Sequence, residues 1–127
     1  MGLFDLLLET NIEKLQEKNS KTVEIKRLSR LIGAVFAVDC KPLTSEQIEH
    51  ISEISKTDTD MRINAIIESC RIDGEKFNNP QLMQKIQTVT PVETVKKLFN
   101  AGEITKLYRY INDVSGFGAG VVDEIKN

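Results

Sequence analysis

Thr22-Val23-Glu24-Ile25-Lys26-Arg27-Leu28-Ser29-Arg30-Leu31-Ile32-Gly33-Ala34-Val35-Phe36-Ala37-Val38 admits two readings that lead to different folds. Thr22 to Lys26 alternates polar and apolar residues as a half-buried strand does, and Ala34 to Val38 is a short apolar run rich in β-formers. With Gly33 at a turn between them, the two runs make a small antiparallel hairpin within residues 22–40. The competing reading joins Ile25, Leu28, Leu31 and Ile32 into one helix that stops at Gly33, and periodicity alone does not separate the two. We adopt the hairpin. The fold class is then mainly α (α+β), a single helical domain with a small N-terminal β-hairpin.

Working outward, the flanks are helical. Phe4, Leu8, Ile12 and Leu15 recur at helical spacing, so residues 1–21 are expected to form an amphipathic N-terminal helix, broken near Thr10-Asn11 and ending at Asn19-Ser20. Residues 44–126 read as a helical region. Thr44 and Gln47 form a capping box, Leu43 is placed to staple on Ile48, and Ile51 and Ile54 continue the apolar face. Ile63, Ile66, Ile67 and Cys70 mark a second helix, entered through a cap at Asp58 or Asp60 and stopped by Gly74. Asn79-Pro80 opens a helix with Leu82, Met83 and Ile86 on one side. Thr90-Pro91-Val92-Glu93 opens another, carrying Val95, Leu98 and Phe99, which Asn100-Ala101-Gly102 breaks. Ile104, Leu107, Tyr108, Ile111 and Val114 then line one face of a helix that ends at Ser115-Gly116, with Phe117 folding back on it. Val121, Val122 and Ile125 suggest a last short helix.

The chain has 127 residues, enough to bury one core, and we read residues 1–127 as one domain. Seventeen Lys and Arg against 19 Asp and Glu leave a net charge of -2, so no charge excess points to nucleic acid or an anionic membrane. No apolar run approaches the ~20 residues of a spanning helix. The start lacks the basic end and cleavage site of a signal peptide, and Leu7 replaces the Ser or Thr of a myristoylation signal, so a cytoplasmic location is expected.

Candidate chemistry is sparse. Gly116-Phe117-Gly118-Ala119-Gly120 imitates a dinucleotide-binding turn, but it follows a helix rather than a strand, and we read it as a helix stop. His50 stands among Glu46, Glu49 and Glu53 without a nucleophile signature, on a solvated helix face. Cys40 and Cys70 lie far apart in sequence with neither zinc spacing nor a Cys-x-x-Cys motif, and read as small core residues. The acidic runs at Thr57 to Asp60 and Asp73 to Glu75 lack the alternating ligands of a calcium loop. No catalytic, cofactor or metal residue is expected. Lys21, Lys26, Arg27 and Arg30 form a basic cluster, and Lys96, Lys97, Lys106 and Arg109 another. Without interleaved aromatics they read as solvated surface, and a small nucleic-acid-binding regulatory protein is the alternative function.

Thr90-Pro91, Val95-Lys96-Lys97-Leu98, Gly102-Glu103-Ile104, Leu107, Ile111, Ser115-Gly116-Phe117 and Glu124-Ile125-Lys126-Asn127 occur in an order and spacing that resembles the XkdN-like family of phage tail assembly chaperones. Val23-Glu24-Ile25-Lys26-Arg27-Leu28, with Leu43-Thr44 and Glu46-Gln47-Ile48, is similar to that family's opening strand pair and following helix. The resemblance runs from about residue 22 to the end, and residues 1–21 match least. It implies a non-enzymatic protein of phage or prophage origin in the cytoplasm of the bacterial host. Such a protein escorts the tape measure protein during virion assembly and is absent from the mature virion. Tape measure chains are long helices with apolar stripes, and a small helical protein covers such stripes by helix-in-groove contact. Phe117, Val121, Val122 and Ile125 are the candidate partner-binding residues, and a second copy of the chain is a further candidate partner. The resemblance also implies a longer, frameshifted form that recruits the major tail protein, and Ile125-Lys126-Asn127 is compatible with a slippery run of codons. A short helix around Val121 to Ile125 would lead into such an extension without disturbing the core; the alternative is that Glu124-Ile125-Lys126-Asn127 is only a frayed, charged helix end.

Overall fold

A computed structural model describes residues 2–16, 19–118 and 120–125. Among these the chain forms helices α1 (Leu3–Glu9), α2 (Ile12–Leu15), α3 (Lys26–Ile32), α4 (Ser45–Ile54), α5 (Asp58–Ser69), α6 (Pro80–Ile86), α7 (Pro91–Leu98) and α8 (Ala101–Val114). Strands β1 (Lys21–Glu24), β2 (Ala37–Cys40) and β3 (Cys70–Arg71) complete it. The three strands form one antiparallel sheet in the order β1-β2-β3. The fold is mostly helical with a small antiparallel sheet.

Both readings of residues 22–38 hold in part. β1 and β2 pair antiparallel, with Val23 opposite Val38 and Lys21 opposite Cys40. What joins them is not a tight turn at Gly33 but the helix α3, and Gly33 is its left-handed C-cap at φ 82°. Ile25 lies between strand and helix, and its amide donates to Phe36 O at 3.0 Å, so the pairing continues one step beyond β1 while its carbonyl already accepts the first bond of α3 from Ser29. Only Leu28 of α3 is buried; Leu31 and Ile32 face solvent. β2 begins at Ala37, three residues later than the apolar run suggests, because Ala34 and Val35 form the exposed return from α3.

The second half follows its caps. Thr44 and Gln47 make the reciprocal capping box, with Thr44 N donating to Gln47 Oε1 at 2.9 Å and Gln47 N to Thr44 Oγ1 at 3.2 Å. Thr57, rather than Asp58 or Asp60, caps α5 by accepting from Asp60 N, and Asp60 reaches back to Lys56 N. Asn79 accepts from the amides of Gln81 and Leu82 ahead of Pro80. Thr90 accepts from Glu93 N, but the Glu93 carboxylate takes Val89 N instead of the cap's own amide. Asn100 is not a breaker; it forms a full capping box with Glu103 and starts α8, so Ala101 and Gly102 belong to that helix's first turn.

Two further elements depart from the sequence reading. α5 ends at Ser69, and Cys70 opens β3 instead of closing the helix. Gly74 is then not a helix stop but the second residue of a tight turn, with Asp73 at φ 51° and Gly74 at φ 77° and two bonds between Ile72 and Glu75. Positive φ at both central residues is the mark of the hairpin turn that Asp-Gly favours. The expected helix at Val121 to Ile125 is also not formed. Residues 120–125 run as turn, bends and irregular backbone after Gly120 at φ 82°, and so short a segment cannot sustain a helix without packing.

One cluster of buried residues holds these elements together. Val38 and Cys40 of β2, Ile63 and Ile66 of α5, Val95 of α7 and Leu107 and Ile111 of α8 are buried, with Phe77 and Phe99 stacked edge-on at 5.8 Å between centroids. α5 is the centre, packed against α4, α7, α8 and the sheet. By contrast, α1 and α2 bury nothing. Ile54, on the expected apolar face of α4, is half exposed because α4 lies at the edge of the cluster.

Candidate partner-binding surface

The end of α8 is built as a full helix stop. Gly116 takes φ 94°, its amide donates to Asp113 O at 3.2 Å, and Phe117 N donates to Asn112 O at 2.9 Å. This pair of bonds, one spanning four residues and one spanning six, is the Schellman arrangement, and it turns the residue after the glycine back toward the last helical turn. Ser115 Oγ accepts from Leu43 N at 2.9 Å, which fixes this corner against the entry to α4.

Phe117 thereby becomes one side of an apolar groove between α4, α5 and α8, with a volume of about 350 Å³. Buried Ile51 and Ala65 floor it. Leu43 and Ile48 form one wall, Met61 another, and Tyr108 the third, while Ser52 and Asn112 add polar edges. Phe117 is 65% exposed, so its ring is a rim rather than part of the core. Each wall position follows from a local rule: Leu43 precedes a cap, Ile48 follows one turn later, and Tyr108 lies one turn above Asn112 on α8.

Of the four residues the sequence singled out, Phe117 alone lines this groove. Val121, Val122 and Ile125 lie beyond it on exposed backbone, Val122 at 88%. Sequence reasoning missed Leu43, Ile48, Met61 and Tyr108 as groove walls. The staple pair Leu43 and Ile48 was visible, but which helix it would face was not. Leu3, Phe4, Leu6, Leu7 and Leu8 of α1 are all exposed, Leu3 at 82%, and form a second apolar surface.

The basic cluster has a different fate. Lys21, Lys26, Arg27 and Lys106 border a wider depression of about 700 Å³ between β1 and α8, together with Glu24 and Glu103. Arg27 Nη2 lies 2.9 Å from Glu103 Oε1, and Nε lies 3.1 Å from Oε2. The bidentate bond holds the Glu103 carboxyl below the usual carboxylate range and raises the guanidinium. Lys21 Nζ sits 5.9 Å from the Tyr110 ring centroid. Arg30, by contrast, does not border this depression. His50 is exposed on α4. Among the described residues no group of three or more His, Cys, Asp or Glu is placed to hold a metal ion, and no helix is long and apolar enough to cross a membrane.

The fold and this surface define a mainly helical protein that presents an open apolar groove and an uncovered apolar helix. The phage XkdN-like tail assembly chaperone family matches residues 4–127, and the chain belongs to that family. The match reaches almost to the first residue, so α1 is included in the family's shared sequence, beyond the range in which the sequence reading found the resemblance. Chaperone families of this kind are generally non-enzymatic. Among solved structures the chain is similar to a crystal structure of the protein YqbN, with a TM-score of 0.60 and 20% identity over 80% of this chain and 90% of that one. That likeness concerns the fold. No curated protein matches the chain.

Proposed function

We propose that this chain is a non-enzymatic tail assembly chaperone that binds the tape measure protein and keeps it assembly-competent. It would act in the cytoplasm of the bacterial host and be absent from the mature virion. The observation that carries this reading is the open apolar groove with Phe117 on its rim, in a member of a tail assembly chaperone family. A tape measure chain is a long helix whose apolar stripe associates wrongly when uncovered. Residues at i, i+3 or i+4 and i+7 of such a helix suit the groove, and the exposed Val121, Val122 and Ile125 are further apolar side chains available to the partner. The uncovered α1 offers a surface for a second copy. A longer frameshifted form that engages the major tail protein belongs to the same proposal.

Co-expression with the tape measure protein tests it. The intact chain is expected to keep that partner soluble and to co-purify with it, with little dependence on salt. Phe117→Asp is expected to lose the partner while keeping its unfolding midpoint, since the ring is outside the core. A tape measure protein equally soluble with and without the chain, and no co-purification, would overturn the reading. Binding that instead requires DNA or RNA and weakens steeply with salt would favour the nucleic-acid regulator.

A further inference from the structure

Cys40 and Cys70, thirty positions apart in the chain, stand directly opposite each other on β2 and β3. The Lys41 amide donates to Ser69 O at 3.1 Å, immediately beyond the pair. A ladder bond flanking two opposed residues makes them a non-hydrogen-bonded pair, the position where facing Cα atoms come to about 4.5 Å. That spacing lies inside the range of roughly 4.4–6.8 Å that a disulfide spans. The two Sγ atoms are 3.7 Å apart, and both thiols are free and buried. Closure to a bond of about 2.05 Å asks for less than ~2 Å of sulfur movement. Ser69 holds the register from beside the pair: its Oγ donates to Lys41 O at 2.6 Å and accepts from Lys41 N at 3.1 Å.

We propose that Cys40 and Cys70 form a reversible oxidation site, a dithiol that a hydroperoxide closes to a disulfide. Either sulfur can donate to the other across this contact, which lowers Cys40 and, together with burial, pushes Cys70 up. The thiolate of one cysteine of the pair takes the terminal oxygen of hydrogen peroxide, and the O–O bond breaks to give a sulfenic acid and, after protonation, water. The other sulfur, losing its proton, then attacks the sulfenyl sulfur and releases a second water. Two thiols and one hydrogen peroxide thus give one disulfide and two waters. Both thiols are buried, so the reaction requires local opening, and β3, a two-residue strand at the sheet edge, is the element whose release would uncover them.

The bond would have a consequence for the groove. The segment between the cysteines contains α4 and α5, which supply Ile48, Ile51, Met61 and Ala65 to it. Closing the ends of that segment restricts the unfolded chain and braces the two helices on the sheet.

Treatment of the full-length native chain with hydrogen peroxide, followed by unfolding in a maleimide and intact-mass measurement, tests the proposal. The expected product has lost two hydrogens, takes up no maleimide, regains both thiols with dithiothreitol, and unfolds at a higher denaturant concentration than the reduced form. Cys40→Ser and Cys70→Ser are each expected to abolish the mass loss. Two thiols still labelled, added oxygen in place of lost hydrogen, or an interchain dimer would overturn it.

Discussion

Arg27 and Glu103, 76 residues apart, meet in a two-pronged guanidinium–carboxylate contact, and the same guanidinium donates to Leu98 O at 2.9 Å. Arg27 thereby ties α3 to both the last turn of α7 and the first turn of α8. Glu103 serves twice, since its Oε1 also accepts from Asn100 N at 2.9 Å as the return half of the α8 capping box. Because Arg27 holds the Glu103 carboxyl below its ordinary value of 4.5, the folded state binds this proton less readily than the unfolded one. Stability from the contact is then fully present above that ordinary value and is lost as pH falls through the lowered folded value. Glu103→Gln is expected to be less stable than the parent at neutral pH, and the gap to close on acidification below 4.5. Urea unfolding of both at several pH values checks it; a gap independent of pH would show that charge plays no part.

The two helix-end devices at Thr90 and Gly116 give a second prediction. Thr90→Ala removes the acceptor for Glu93 N and is expected to cost about 1 kcal/mol. Gly116→Ala forces a side chain into φ 94°; its Cβ would meet nothing within 4 Å, so the cost, about 1 kcal/mol, is one of backbone strain and not of collision. Chemical denaturation measures both, and unchanged midpoints would contradict the helix ends described above.

Thr88 and Thr94 form a buried pair with Oγ1 atoms 2.6 Å apart. Since Thr94 Oγ1 donates to Thr90 O at 3.0 Å, Thr88 must be the donor to Thr94. Thr94→Val keeps the shape and strands the Thr88 hydroxyl, at an expected cost of about 1–3 kcal/mol. The double variant Thr88→Val with Thr94→Val is expected to recover part of that loss. Equal destabilisation by the single and double variants would argue against the hydroxyl pair.

No residue of α1 or α2 is buried. Removal of residues 1–16 is therefore expected to change unfolding stability by no more than about 0.5 kcal/mol, as for surface changes generally. It should reduce binding of a hydrophobic dye and any self-association, because it deletes exposed Leu3, Phe4, Leu6, Leu7 and Leu8. A large loss of stability would mean that these side chains pack on the body in solution.

Sequence by itself determined what is set within one helical turn. The Thr44–Gln47 box, the Asn79-Pro80 start, the Thr90 cap, the Gly116 stop and the break at Thr10-Asn11 all rest on bonds to backbone no more than five residues away, made by side chains or, at Gly116, by the backbone itself, and each stands where the residues put it. Asp73-Gly74 carried the same kind of signal for a tight hairpin turn; taking Gly74 as a helix stop obscured it. The family, too, was legible from ordered fragments of the second half. Tertiary structure decided the rest. The strand character of Thr22 to Glu24 and the helical character of Ile25 to Ile32 were both real, but their coexistence depends on β2 returning across α3 to pair with β1. Cys70 satisfies a helical period and yet lies in a strand, because pairing with Cys40 captures it where α5 ends. The Cys40–Cys70 and Arg27–Glu103 contacts join residues 30 and 76 positions apart, and the groove joins Leu43 to Phe117. No local spacing encodes such meetings, because they arise only when separate apolar faces compete for the same core and the winning arrangement brings distant side chains together.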